Sequence, residues 1–371
     1  MLLLPLGSGY VSTATTTHYC VGAHADAILL QMTDVEVCAL GGHGFLLCFI
    51  VTCGMQLSFF AVAYGCSFDK VTDFAGGMNF TVLAILTLVN GGSMTTRQWV
   101  TTLLVCVSRT QLALLLLHRV LKRGHDARFD EMRAHFFAFL GFWIFQIMWV
   151  YVVSAPLIYL NCERAYNPAL GITDYIGWIL TALGFVLQVF ADLQKMRFRN
   201  NKENRGRVCD AGLWSVTRHP NYFGEMLIWW GVFVSASAVF GVHRTRIGYA
   251  TIVSPVFTML ILLFLSGMPT AEGKALKRFY TTEESSQRFG RYFRRTPPIV
   301  PFVPQWYEAM PLVLKRIFCC EFKMYEYRNT QVDFASQENE LSESPNGSSA
   351  SKDVLLENGH ASAAVLSSSA D

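Results

Sequence analysis

Residues 205–231, RGRVCDAGLWSVTRHPNYFGEMLIWWG, gather more chemistry than any other stretch of the chain. Arg218, His219, Asn221, Tyr222 and Glu225 fall within eight positions. Pro220 suits the first turn of a helix, where its missing N–H has no partner to lose. A helix starting there puts Asn221 and Glu225 four apart on one face. Gly224, between them, lets a ligand or another backbone come close. Free N–H groups and partial positive charge at the helix N-terminus suit a phosphate. His219 suits a general acid or a hydrogen-bond donor. Tyr222 suits a proton donor or a platform for a ring. The bland reading is a turn entering a membrane, with interfacial anchors such as Tyr222.

Other ionisable residues fall around this segment. Arg197, Arg199 and Arg218 flank it, and arginine forks match phosphate oxygens; plain attraction to anionic lipid is the alternative. Arg291, Arg294 and Arg295 lead into RTPPIVP, placed to close over the same site from the C-terminal side. Asp192 reads either as an acceptor for ribose hydroxyls or an amide, or as a salt-bridge partner of Lys195 or Arg199. Arg109 stands in an apolar run, where insertion costs about 2.5–3.5 kcal/mol. It needs Asp73, Glu225 or a cofactor as partner. No His, Asp or Glu set recurs at metal-ligand spacing, and the ten cysteines contain no CxxC pair. Cys319 and Cys320 suit palmitoylation or plain reduced thiols. GxGxxG in a βαβ setting, GxSxG, HExxH and Walker A patterns are missing.

The elements that position these residues are membrane helices. The chain is 52% hydrophobic and 15% charged, against about 25% charged for a soluble domain. Runs near the roughly 20 residues needed to cross a bilayer fall at 43–65, 76–94, 98–118, 135–160, 172–192, 222–242 and 249–267. The fold class is therefore all-α, a polytopic bundle of about seven transmembrane helices. With seven spans, 119–133, 194–221 and the tail share one side. These are the most basic stretches, so that side is cytosolic. Residues 1–37 read as an irregular leader and 38–306 as the membrane domain. Residues 307–330 read as a juxtamembrane basic segment, of which 311–328 alternate basic and apolar positions suited to the membrane surface, and 331–371 as a disordered tail. The basic residues cluster beside membrane segments, which excludes a nucleic-acid partner.

The segment GLWSVTRHPNYFGEMLIWWG resembles the signature of the DUF1295 membrane family, of the steroid 5α-reductase C-terminal-domain group. RVLKRGHDARFDEMR is similar to that family's loop with Gly124, Asp126, Arg128 and Phe129. FRNNKENRGR and the run from SGMPTAEGKALKR to YFRRTPPIVPFVP fit as well. The resemblance covers about 70–300. It implies a helical membrane enzyme that uses NADPH near the cytosolic ends of its last helices. Asn221 and Glu225 match reductase positions that contact the nicotinamide end. Asp192 and Arg199 match a pair contacting the adenosine and phosphates, and Arg218 and His219 match the sterol reductase Arg-His. Tyr292, Arg295 and Arg197 complete the expected cofactor set. Tyr222 and His219 are the expected proton donors, and Asp73, Asn79 and Arg109 the positional candidates for substrate. Isoprenylcysteine and phospholipid methyltransferases share an RHPxYxG turn and bind S-adenosylmethionine. They usually carry a C-terminal acidic pair, for which Glu283-Glu284 stands in a loop-like context.

The expected function is thus NADPH-dependent reduction of an activated C=C bond in a steroid, sterol or other lipid, in the endoplasmic reticulum of a eukaryote. The alternatives are an S-adenosylmethionine-dependent membrane methyltransferase of isoprenylcysteine or lipid type, and a lipid-binding protein without turnover.

Overall fold

The structure, a computed structural model, describes residues 42–66, 71–123, 132, 134–163, 166–241, 246–280 and 283–326. The leader, the tail from 327 and the Gly124–Phe129 motif lie outside the described residues, as do 242–245 of the HRTRIG connection.

Among the described residues, seven helices are long and apolar enough to cross a membrane, and there are no strands. The chain is an integral multi-pass membrane protein. The spans are α1 (Gly42–Gly65), α2 (Thr72–Gly91), α3 (Thr96–Arg123), α4 (Phe136–Cys162), α5 (Ile172–Asn200) and α6 (Pro220–Ala236). The seventh, Ile247–Lys277, is irregular: a 3-10 stretch Ile247–Ile252, the helix α7 (Val253–Leu260), then a π-helical turn Ile261–Leu265. Beyond it come α8 (Glu283–Arg295), α9 (Pro304–Ala309) and α10 (Leu312–Cys319).

The second span starts and ends earlier than its apolar run suggests. Gly92, left-handed at φ 75°, provides a helix stop that a hydropathy count does not see. The third and fifth spans run on past the apolar segment into basic residues. These extensions carry the cationic groups of the site.

Burial sorts the helices. Twelve of the 20 residues of α2 and ten of the 17 of α6 are buried, against six of the 29 of α5, so α2 and α6 form the inside of the bundle. On α5, Ile172, Ile176, Ile179, Leu183, Val186 and Phe190 are exposed. Their spacing gives one apolar stripe that faces lipid. The main core joins Phe80 and Leu83 of α2, Val150 and Leu157 of α4, and Trp229 and Val232 of α6.

α5 and α6 pack backbone to backbone. A Cβ on Gly184 would stand 2.5 Å from the Gly224 carbonyl oxygen, and one on Gly231 2.6 Å from that of Gly177. Small residues let helices approach closely where no hydrophobic force draws them together. Gly224 thus accommodates another backbone, one of the two occupants its sequence position allows. At the end away from the basic loops, buried Arg97 holds Asp174 through Nη2 at 2.9 Å and Asn167 at 2.9 Å. That pair ties the start of α3 to the start of α5.

Candidate functional site

The glycine contacts fix an antiparallel register between α5 and α6, and the register brings four polar side chains into two rungs. In the outer rung, Asn221 Nδ2 lies 3.5 Å from Asp192 Oδ1. In the inner rung, one helical turn deeper, Gln188 Nε2 donates to Glu225 Oε2 at 2.9 Å. Arg109 of α3 donates from Nη1 to Glu225 Oε1 at 2.6 Å. Trp229 Nε1 donates to the same oxygen at 2.8 Å, and the guanidinium lies 5.3 Å over the Trp229 ring. A buried charge must be paired to persist, and this one is. The Glu225 carboxylate is fully engaged, whereas Asn221 Oδ1, Gln188 Oε1, and Arg109 Nε and Nη2 are buried without partners. Buried polar atoms left unpaired are few in native proteins, and each asks for an explanation.

Above the outer rung a cleft of about 320 Å³ opens between the basic ends of α3 and α5. His118, Arg119 and Lys122 line it from α3, and Asp192, Lys195 and Arg199 from α5. On each helix the positions recur at three and four residues, so a single face of each builds the wall. Four permanent cations surround one carboxylate there, an arrangement suited to phosphates. The 201–219 loop is held against this wall by Trp214. Its Nε1 donates to Ala191 O at 2.9 Å, and Lys195 Nζ sits 3.9 Å over its ring.

The rest of the motif turns to a different face. Arg218 is buried and donates to Glu272 Oε2 at 3.0 Å and to both oxygens of Glu321 at 2.7 and 2.8 Å. Its guanidinium also lies 3.6 Å over Phe293, and Tyr307 OH donates to Glu321. Burial works against the Arg218 cation, but Glu272 and Glu321 outweigh it and raise its pKa. His219 Nε2 meets Glu272 Oε1 at 2.7 Å, and its ring stacks on Tyr222 at 4.9 Å. Burial pushes the imidazole below its ordinary value, against the opposing pull of Glu272. Arg218 N–H donates to Pro297 O at 2.8 Å, and Thr217 Oγ1 to Ile299 O at 2.8 Å. The RTPPIVP turn therefore packs on residues 216–218 and fastens the C-terminal segment to the head of α6.

The candidate residues thus separate into groups. Asp192, Arg199, Asn221, Glu225 and Arg109 come together on the α3–α5–α6 side. Arg218, His219 and Tyr222 belong to the buried cluster facing the seventh span, where Tyr222 OH lies 3.5 Å from Gly267 O. Tyr292 OH donates to Trp214 O at 2.8 Å, and burial raises its phenol pKa. Arg295 Nε pairs with Glu308 at 3.1 Å, with both side chains about half exposed. Arg197 is exposed and does not line the cleft. Asn79 Oδ1 accepts from Gln56 Nε2 at 2.9 Å, and Asp73 sits half-buried in the first turn of α2. Both lie in the α1–α2 layer. Glu284 lines a separate cleft beside α8.

Three groups escaped the sequence reading. Gln188 had a visible signal, an amide four residues before Asp192 inside an apolar span. The α3 cations had one only in hindsight of the helix running past its apolar run. Glu272 and Glu321 are single carboxylates 54 and 103 residues from Arg218, and no local pattern marks them. Within 311–328, expected on the membrane surface, Cys319 and Tyr325 are buried to 1% and 0% exposure.

The chain belongs to the family described as Protein of unknown function (DUF1295), whose model matches residues 59–296. An uncharacterized protein of Schizosaccharomyces pombe is 31% identical over 104 residues, which cover 23% of this chain and 30% of that protein. A probable O-methyltransferase of Ustilaginoidea virens, ustE, is 35% identical over 60 residues, 16% of this chain and 20% of that protein. The chain therefore matches less than a third of the length of either curated relative. No solved structure matches it.

Proposed function

We propose that this DUF1295 protein is an NADPH-dependent membrane reductase acting on an activated C=C bond of a steroid, sterol or other lipid. One observation carries the reading: Asp192 lines the cationic cleft, and its rung partner Asn221 and the deeper Gln188 and Arg109 keep buried amide and guanidinium atoms without hydrogen-bond partners. A dinucleotide has a phosphate-bearing end and a carboxamide end, and the two features fit those ends in that order. Arg119, Lys122, Lys195 and Arg199 would hold the phosphates, and Asp192 would accept from a ribose hydroxyl. Asn221 and Gln188 offer complementary amides to the carboxamide. NADPH, when bound, supplies a hydride.

The chain's own part is orientation and charge stabilisation. Glu225 fixes the Arg109 side chain through Nη1, which leaves Nε–H and one Nη2 group as oriented donors. Donors of this kind favour negative charge developing on a conjugated carbonyl oxygen, and more strongly where water is excluded. Tyr222 and His219, like Asn221, Gln188, Arg109 and Glu225, do not line the cleft itself; Asn221 meets its Asp192, whereas Tyr222 and His219 turn to Gly267 and Glu272. The positive-inside rule supports a cytosolic cleft, and the endoplasmic reticulum membrane of a eukaryotic cell is the location proposed with it.

The second reading, a methyltransferase using S-adenosylmethionine, has the name of the Ustilaginoidea virens relative behind it. Its cofactor is a sulfonium cation, and four cations around one carboxylate suit it less well. Calorimetric titration of the detergent-purified chain with NADPH and with S-adenosylmethionine separates the two. NADPH should bind, and Asn221→Ala and Arg199→Ala should each weaken it by about tenfold, the equivalent of about 1.4 kcal/mol. Binding of S-adenosylmethionine alone overturns the reductase. Binding of neither to folded protein favours lipid binding without turnover.

A further inference from the structure

We propose a second ligand site, a groove along α8 that binds the phosphate-monoester headgroup of a membrane lipid. α8 places Arg288, Arg291 and Arg295 three and four residues apart, so they share a face. That face lines a groove of about 350 Å³, with Thr296 and Gln305 beside the arginines. Arg288 also lines the adjoining cleft of about 290 Å³, where Arg205 and Arg207 reach it from the 201–219 loop. The volumes suit a ligand of headgroup size.

Charge supports an anion. Five arginines face Asp210 and Glu284 in the two clefts, with Glu308 at the rim. Arg288 pairs with Asp210 at 3.1 Å and Arg295 with Glu308 at 3.1 Å, all partly exposed. Arg205, Arg207 and Arg291 make no ion pair among the described residues. Exposed pairs of this kind contribute little to stability, so the fold does not account for gathering five cations. Arginine forks bind phosphate oxygens bidentately.

Position supports a lipid over a soluble anion. Next to Gln305, Trp306 is 68% exposed. α10 follows with Leu312, Val313, Ile317 and Phe318 all exposed. Phe322 lies 5.5 Å from Phe264, an exposed residue of the seventh span, and Tyr325 OH donates to Leu263 O at 2.7 Å. These contacts set the segment at the edge of the bilayer, with its apolar side chains free to meet acyl chains. The groove is distinct from the cofactor cleft. Trp214 stands between them, with Lys195 of the cleft on its ring and Tyr292 of the groove on its carbonyl.

The test uses the full chain in phosphatidylcholine nanodiscs, titrated with short-chain phosphatidylinositol bisphosphate, free inositol trisphosphate and inorganic phosphate. Arg288→Gln/Arg291→Gln is compared with Lys202→Gln/Lys277→Gln, which removes the same charge from exposed positions that line neither cleft. Melting temperature is the control for folding. The site predicts that the first pair weakens lipid binding on the order of tenfold, by loss of two phosphate contacts, and the second by much less. Equal losses in both pairs reduce the effect to general surface charge and overturn the site, as does no loss in the first. Equal affinity for the lipid and inositol trisphosphate overturns the membrane-lipid assignment. NADPH affinity is not needed for any arm, so the result stands apart from the reductase reading.

Discussion

Glu225→Ala is the sharpest test of how the centre of this bundle is held. The substitution removes the acceptor of three hydrogen bonds, from Arg109, Trp229 and Gln188. It leaves a guanidinium that is 2% exposed with no counter-charge among these contacts. Breaking a buried ion pair on one side costs about 3–5 kcal/mol. The reverse change, Arg109→Met, should cost less, because a carboxyl group can neutralise itself by taking up a proton and a guanidinium cannot. Arg109→Met/Glu225→Met removes both charges and should be more stable than Glu225→Ala, since apolar replacement of a whole buried pair is often neutral. The assay is unfolding of the detergent-purified variants followed by tryptophan fluorescence, with Glu225→Met completing a double-mutant cycle. A coupling of roughly 2–3 kcal/mol is expected for directly contacting groups. Wild-type stability in Glu225→Ala would refute the reasoning. So would a double variant no more stable than the worse single one.

Two further outcomes follow from the geometry. Gly184→Ala forces a Cβ to within 2.5 Å of the Gly224 carbonyl oxygen, so α5 and α6 must part at a cost of about 1–3 kcal/mol; Gly54→Ala, with nothing within 4 Å, should leave the melting temperature nearly unchanged. His219 has a lowered pKa from burial, so the unfolded chain takes up its proton first as pH falls. The stability held by the neutral imidazole is complete above the unfolded value of 6.5 and is lost as pH drops below it. His219→Gln should flatten that acid limb in melting experiments, and an unchanged limb would show that the imidazole does not set it.

The spans, their order and the basic side were legible because a bilayer imposes one simple demand, a run of apolar residues long enough to cross it. The helix start at Pro220 and the shared face of Asn221 and Glu225 were legible for the same local reason, since helical spacing is fixed by backbone geometry. Helical period, however, says which residues share a face and not what that face meets. Asp73 and Glu225 were equally good partners for Arg109 on paper; the packing of α3 against α6 selected Glu225. Arg218 had the composition of a phosphate ligand, and carboxylates from two distant segments occupy it instead. Asp192 lies beside Asn221 of α6 because glycines let two helix backbones touch and so set their register. The sequence by itself determined a polytopic membrane protein of about seven spans, seven of which stand among the described residues, with a polar, glycine-bearing helix start beside its most basic loop. Only the tertiary structure decided which of those polar groups are consumed by the fold and which are left with open valences, because that depends on pairings between residues far apart in the chain.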